Sequence, residues 1–235
     1  MDPSVWGPKV WDFILTISLN ADPSNVVPFI EMYKLCLPCI HCRRSFQLFC
    51  KQLPYTSMND SSENMFKWTW TMHDMVNQKL GKYSLPYDKA KRRYSSFSCY
   101  ISCMDIVDVM TCMACCSFKE NNREGLLSIS QTIPELKEIL KGNYVCGGIL
   151  IHNLIHEIKP QENEQILDSV LKLRENVRRE LQLGKETRQQ IMLIFPYTPP
   201  AEKSSRSNNG SESRRTSNRN KGIPTNIRRI PRNIR

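Results

Sequence analysis

Apolar and polar positions along the first hundred residues follow the period of a helix. "VWDFILTISL" (Val10–Leu19) is apolar almost throughout and longer than a usual strand. "NVVPFIEMYKLCL" repeats apolar residues every three to four positions, and "CIHCRRSFQLFCKQL" runs on as far as Pro54. In "SSENMFKWTWTMHDMVNQKLG", Ser61 or Ser62 is a ready N-cap, Glu63 suits the first turn and Gly81 suits the stop. Alternating strand-like runs are missing, so the pattern predicts an all-α core. One or two more helices are expected between Asp88 and Phe118. After a polar loop, "KENNREG", a short helix is expected near Ile133–Leu140, followed by the segment "CGGILIHNLIHEI". A long amphipathic helix is expected over Glu162–Leu183, with Ile166, Val170, Leu173, Val177 and Leu181 on one stripe. That stripe serves either core packing or a dimerising coiled coil.

Charge changes the picture at one end only. Residues 201–235 hold ten Lys/Arg and two Asp/Glu, which is +8 of the chain's formal +10. The other 200 residues are close to neutral. The stretch from Phe195 onward is Ser-, Asn- and Arg-rich and cannot bury enough surface to offset its ordering entropy, so a disordered basic tail is expected over 196–235. No apolar run approaches the ~20 residues of a membrane helix. The start, "MDPSVWGPKVWDF", lacks the pattern of a signal peptide, so a cytoplasmic location is expected. There, ten cysteines point to metal or redox chemistry more than to inert staples.

Cys39 and Cys42 form C-x-x-C directly after Pro38, which suits a helix starting at or just after Cys39. A helix N-terminus favours a thiolate, and Arg43 and Arg44 are expected to push the same way. Redox exchange, half of a zinc site, and inert thiols all remain open on spacing alone. A second cluster, Cys99, Cys103, Cys112, Cys115 and Cys116, reads as a dithiol shuttle through Cys112 and Cys115, a zinc site, or structural thiols. Cys146, His152 and His156 carry a weak metal signal without the Glu of a zincin helix.

Three segments in order break the tie: "WGPKVW", "CLPCIHC" and "FKWTWTMHDMVNQKLGK". Together, over Trp6–Tyr94, they resemble the Erv/ALR family of FAD-dependent sulfhydryl oxidases, particularly the compact members encoded by large nucleocytoplasmic DNA viruses. The resemblance implies a four-helix bundle with a short fifth helix, holding FAD at its mouth. It implies an oxidase domain over 1–97, a helical cysteine-containing extension over 98–195, and the tail. Cys39 and Cys42 match the active disulfide. Gly7, Trp11, Trp68, His73, Asn77 and Lys82 match cofactor-binding positions, and Tyr87, Lys91 and Tyr94 match them more loosely. His73 and Asn77, four apart, share one helix face. Three positions depart from the family pattern. Asp74 stands where the signature has its first asparagine, and Leu15 where many cellular members carry a histidine. Trp70 stands where a structural cysteine ties down the fifth helix.

The activity so implied is oxidation of protein thiols to disulfides, with electrons passing through FAD to O2 and hydrogen peroxide as product. The implied partners are protein dithiols or a thioredoxin-like relay protein, together with a second copy in a homodimer. The location would be host cytoplasm or virion if the source is viral. The competing reading is a non-enzymatic zinc module whose basic tail binds nucleic acid by phosphate contacts. A thioredoxin-like enzyme would place its C-x-x-C after a strand, and no strand is visible.

Overall fold

The computed structural model describes residues 2–95, 102–141 and 162–194. Cys99, Cys146, His152, His156 and the basic tail lie outside them. All regular elements described are helical, as the periodicity predicts. Asp2 and Asp22 cap α1 (Pro3–Asn20) and α2 (Pro23–Cys36), each accepting from the backbone N–H of a serine two residues on at 2.8 Å. Each of these helices begins with proline, whose missing N–H costs nothing at a first helical position. α3 (Ile40–Gln52) and a 3₁₀ turn, Tyr55–Ser57, lead to α4 (Ser62–Lys79). Ser61 caps α4, and Gly81 at φ +65° turns the chain out of it. α5 (Tyr87–Ser95) follows.

Four pairings, α1 with α2, α2 with α3, α3 with α4 and α4 with α1, close the first four helices into a bundle. α5 lies across α1 and α4. Its attachment is aromatic and polar. Leu15, Phe66, Ala90 and Tyr94 form a small separate core, and the Trp70 indole N–H donates to the Leu85 carbonyl at 2.9 Å. Trp70 also meets Tyr87 edge-on at 5.5 Å. Tyr94 donates to Asp12 at 2.6 Å, while Tyr87 and Lys91 both reach Glu63. These contacts hold the fifth helix onto the bundle, with Trp70 at their centre.

The extension packs onto the bundle. α6 (Cys103–Lys119) opens with a capping box, Ser102 with Asp105, and lies against α1 and α2. α7 (Arg123–Gln131) is a helix that the sequence reading treats as loop at its start. Its first turn is built on Asn122, which accepts from the Gly125 N–H at 3.0 Å. A Cβ at Gly125 would come within 2.6 Å of Asn122 and 2.8 Å of Ser117, so close approach explains the glycine. α8 (Ile133–Lys141) packs on α2 and α7, and α9 (Asn163–Glu180) lies along α6 and α7. Ile166, Val170, Leu173 and Val177 are buried there, so the stripe serves core packing. Leu181 falls past the helix end and is 37% exposed. A short α10 (Arg188–Ile194) ends the described region.

One apolar core runs from Trp6 to Ile191 and crosses residue 97 without a break in membership. Buried polar links also join the extension to the loop that carries Cys39. The Cys36 thiol donates to the Gly125 carbonyl at 3.0 Å, Asn122 donates to the Leu35 carbonyl at 2.8 Å, and Arg43 pairs with Glu120 at 2.5 Å. Among the described residues, no helix is long and apolar enough to cross a membrane.

Candidate active site

The chain leaves α2 at Leu37, passes Pro38, and enters α3 with Cys39 as its N-cap. The Cys39 sulfur accepts from the Cys42 N–H at 3.3 Å, so it takes one of the free amides of the first turn. The two thiols are half-buried and unbridged. Burial pushes the Cys42 thiol up to about 12, and the hydrogen bond and charge of Cys39 add to this, while the Lys79 ammonium works against it. The expectation that Arg43 assists the thiols is corrected by its geometry. Arg43 is buried and directed to Glu120, and Arg44 is exposed. The cation acting on Cys42 comes instead from α4: Lys79 donates to the Ser45 hydroxyl, which donates to the His41 carbonyl at 2.8 Å.

Beside Cys42 a cleft of about 590 Å³ opens between α1, α3, α4 and α5. Trp11 and His73 stack in its wall with centroids 4.5 Å apart and planes 21° from parallel, and Phe46 tilts against Trp11 at 6.4 Å. Burial, with a smaller push from Lys82, lowers His73 to about 4, so its imidazole is neutral near pH 7. The Asn77 carbonyl accepts from the Lys82 N–H at 2.8 Å across the Gly81 turn, which brings Lys82 to Ser84 back to the cleft. Gly7 faces the cleft, and a Cβ there would meet no protein atom within 4 Å.

Gly7, Trp11, His73, Asn77, Lys82 and Tyr94 therefore share one wall system with Cys42. Cys39 does not line it. Trp68, Tyr87 and Lys91 also lie off it. Trp68 is 1% exposed in the core, its indole N–H donating to the Leu53 carbonyl at 2.9 Å, while Tyr87 and Lys91 serve Glu63. Trp6, Tyr33, Trp70 and Ser84 line the cleft without having been expected there from sequence. Only Trp6 and Trp70 carried a signal, through the motifs that contain them. Cys112 and Cys115 are buried on α6, away from the cleft. The Cys112 thiol is pushed up by its hydrogen bond with the Cys116 thiol and by burial, and Cys115 is pushed up to about 12 by burial first. Among the described residues no three His, Cys, Asp or Glu gather as metal ligands.

The site is thus a C-x-x-C at a helix start beside an aromatic cleft in a helical bundle. The family model described as "Erv1 / Alr family" matches residues 8–95. A probable FAD-linked sulfhydryl oxidase of Acanthamoeba polyphaga mimivirus is 32% identical over 98 residues, covering 38% of this chain and 68% of the relative. An FAD-linked sulfhydryl oxidase of African swine fever virus (isolate Pig/Kenya/KEN-50/1950) is 30% identical over 100 residues, covering 38% and 79%. No solved structure matches the chain. The chain belongs to the Erv1/Alr family.

The cleft walls suit FAD. They are largely aromatic and apolar, they carry Lys82 at the rim, and Gly7 leaves room for a ligand. Three residues that line them, Trp6, Tyr33 and Ser84, each carry a buried polar atom with no hydrogen-bond partner among the described residues. Buried donors of that kind are normally satisfied, so they call for a polar ligand.

His73 makes the cleft pH-sensitive in a defined direction. Its folded value of about 4 lies below an unfolded value near ~6.5, so the unfolded chain binds the proton first as pH falls. The His73 contribution thus costs no stability above pH ~6.5 and destabilises progressively from there down to about 4. Expected result: His73→Phe, which keeps the stack, flattens the fall in melting temperature between pH 6.5 and 4 relative to wild type. An unchanged slope would refute it.

Proposed function

We propose that this protein is an FAD-linked sulfhydryl oxidase that makes disulfides in protein thiols through Cys39 and Cys42. The observation that carries the reading is that Cys42 lines the cleft while Cys39, at the start of the same helix, does not. In the oxidised pair, a substrate thiolate attacks the Cys39 sulfur, the Cys39–Cys42 bond breaks, and Cys42 leaves as a thiolate carrying the electron pair. A second substrate thiolate then attacks its partner sulfur in the mixed disulfide, releasing oxidised substrate and the Cys39 thiolate.

FAD bound in the cleft supplies the two-electron acceptor that reoxidises the dithiol and is itself returned by O2, yielding hydrogen peroxide. The chain's own share is placement and charge. Trp11 and neutral His73 offer a flat stacked wall, Asn77 and Lys82 offer polar groups, and Lys79 stabilises negative charge at Cys42. The partners in this reading are protein dithiols, delivered directly or by a thioredoxin-like relay protein, with O2 as acceptor. A second copy of the chain in a homodimer and nucleic acid on the basic tail belong to the same proposal.

Two measurements test it. Purified protein is expected to show flavin absorption bands and to release one peroxide per disulfide formed in a dithiol substrate. Colourless protein without peroxide release would overturn the proposal. The expected shuttle through Cys112 and Cys115 requires two core thiols to reach substrate, whereas direct entry at Cys39 requires no movement of α6. Direct entry is therefore preferred. A Cys112→Ser/Cys115→Ser variant is expected to oxidise its protein substrate within about twofold of wild type, since neither thiol lines the cleft and a serine in a helix can donate to the carbonyl of the preceding turn. A drop of tenfold or more, with melting temperature preserved, would restore the shuttle.

A further inference from the structure

Tyr33 sits on the third turn of α2 and is 2% exposed. Its ring meets Phe46 edge-on at 6.3 Å, and both residues line the cleft with Cys42 and Leu37. Everything about the ring is explained by packing. The hydroxyl is not. It is enclosed by protein and has no hydrogen-bond partner among the described residues, on a residue that lines the cleft. Burial pushes the phenol far above its ordinary range, so it keeps its proton and remains a donor at any physiological pH.

A buried hydroxyl without a partner works against folding, and phenylalanine would fill the same space without that cost. An aromatic residue bearing an apparently idle donor on a ligand cleft is thus accounted for by a ligand acceptor. Trp6, which also lines the cleft, carries a second buried donor without a partner, its Nε1.

We infer that the Tyr33 hydroxyl is a hydrogen-bond donor reserved for an acceptor atom of bound FAD, making Tyr33 a cofactor-recognition residue on the Cys42 side of the cleft. This rests on reading the cleft as the FAD site. It adds a residue that lies outside the three motif segments and a sign that ordinary packing residues do not share. Removing the hydroxyl should leave the cofactor-free chain at least as stable and make the loaded chain weaker.

The test uses full-length Tyr33→Phe, with FAD itself as the probe. Cofactor-free protein is titrated with FAD by flavin fluorescence, and melting temperature is recorded with and without saturating FAD. The expected result is an unchanged or raised melting temperature without FAD and a Kd for FAD about tenfold weaker, equivalent to about 1.4 kcal/mol. The stabilisation given by a fixed FAD concentration shrinks accordingly. A Kd within twofold of wild type overturns the inference, whatever happens to the melting temperature. Trp11→Ala, measured alongside, separates the two levels of the argument. If it loses FAD while Tyr33→Phe does not, only the role of Tyr33 fails. If neither changes the Kd, the cleft is not the FAD site.

Discussion

Replacing Cys42 with serine is expected to lower kcat for a dithiol substrate by about 10³-fold or more while FAD stays bound. Serine cannot form the disulfide that the substrate attacks, and Cys42 is the member of the pair on the cleft wall, so its loss cuts the path between substrate and cofactor. The backbone arrangement survives, because the Cys39 cap uses the Cys42 N–H rather than its side chain. Flavin absorption should therefore persist, and anaerobic mixing with dithiol should no longer bleach it at the wild-type rate. Cys36→Ser provides the contrast. Cys36 is fully buried and donates to Gly125, a bond serine can also make, so turnover should be kept. A Cys42→Ser enzyme working within tenfold of wild type would refute the assignment.

Two tryptophans near the cleft should fail in different ways. Trp68→Ala is expected to cost about 3–5 kcal/mol of stability, because it empties the space of a 1%-exposed indole in the core. It also strands the Leu53 carbonyl, which accepts from that indole at 2.9 Å. Against a typical net stability of ~5–15 kcal/mol, that is enough to lower the melting temperature severely. Trp11→Ala instead opens a half-buried wall, removing the His73 stack, so FAD binding should weaken well before folding does. Thermal melts with and without FAD separate the two. A stable but colourless Trp68→Ala protein would show that Trp68 acts on the cofactor after all.

The contrast between Trp68 and Trp70 shows what the sequence could and could not reveal. The resemblance selects Trp68, yet two positions along a helix are about 200° apart, so Trp70 is the one facing the cleft. Motif and spacing carry Cys39, Cys42, His73 and Asn77 well, since residues four apart share a face whatever the helix packs against. The cap at Ser61, the stop at Gly81 and the start near Cys39 follow from local chemistry and are legible.

Other features depend on distant chain and are not legible. Gly125 reads as loop because a glycine in a polar run disfavours helix; its place in α7 is set by Asn122 and Ser117 pressing against it. Arg43 looks like an aid to its neighbouring thiol until Glu120, 77 residues on, claims it. Tyr33 looks like one more core aromatic, since whether its tip meets protein or cleft is settled by α1 and α3 together.

The links from Cys36, Leu35 and Arg43 to Gly125, Asn122 and Glu120 have an architectural consequence. The family model's match ends at residue 95, but the counter-charge for the residue next to Cys42 lies beyond it. Cutting the chain at that edge would take the carboxylate away from a guanidinium that is 8% exposed in the intact fold. The family match and the folded core thus have different borders on this molecule, because the core that holds the C-x-x-C helix takes in helices beyond residue 95.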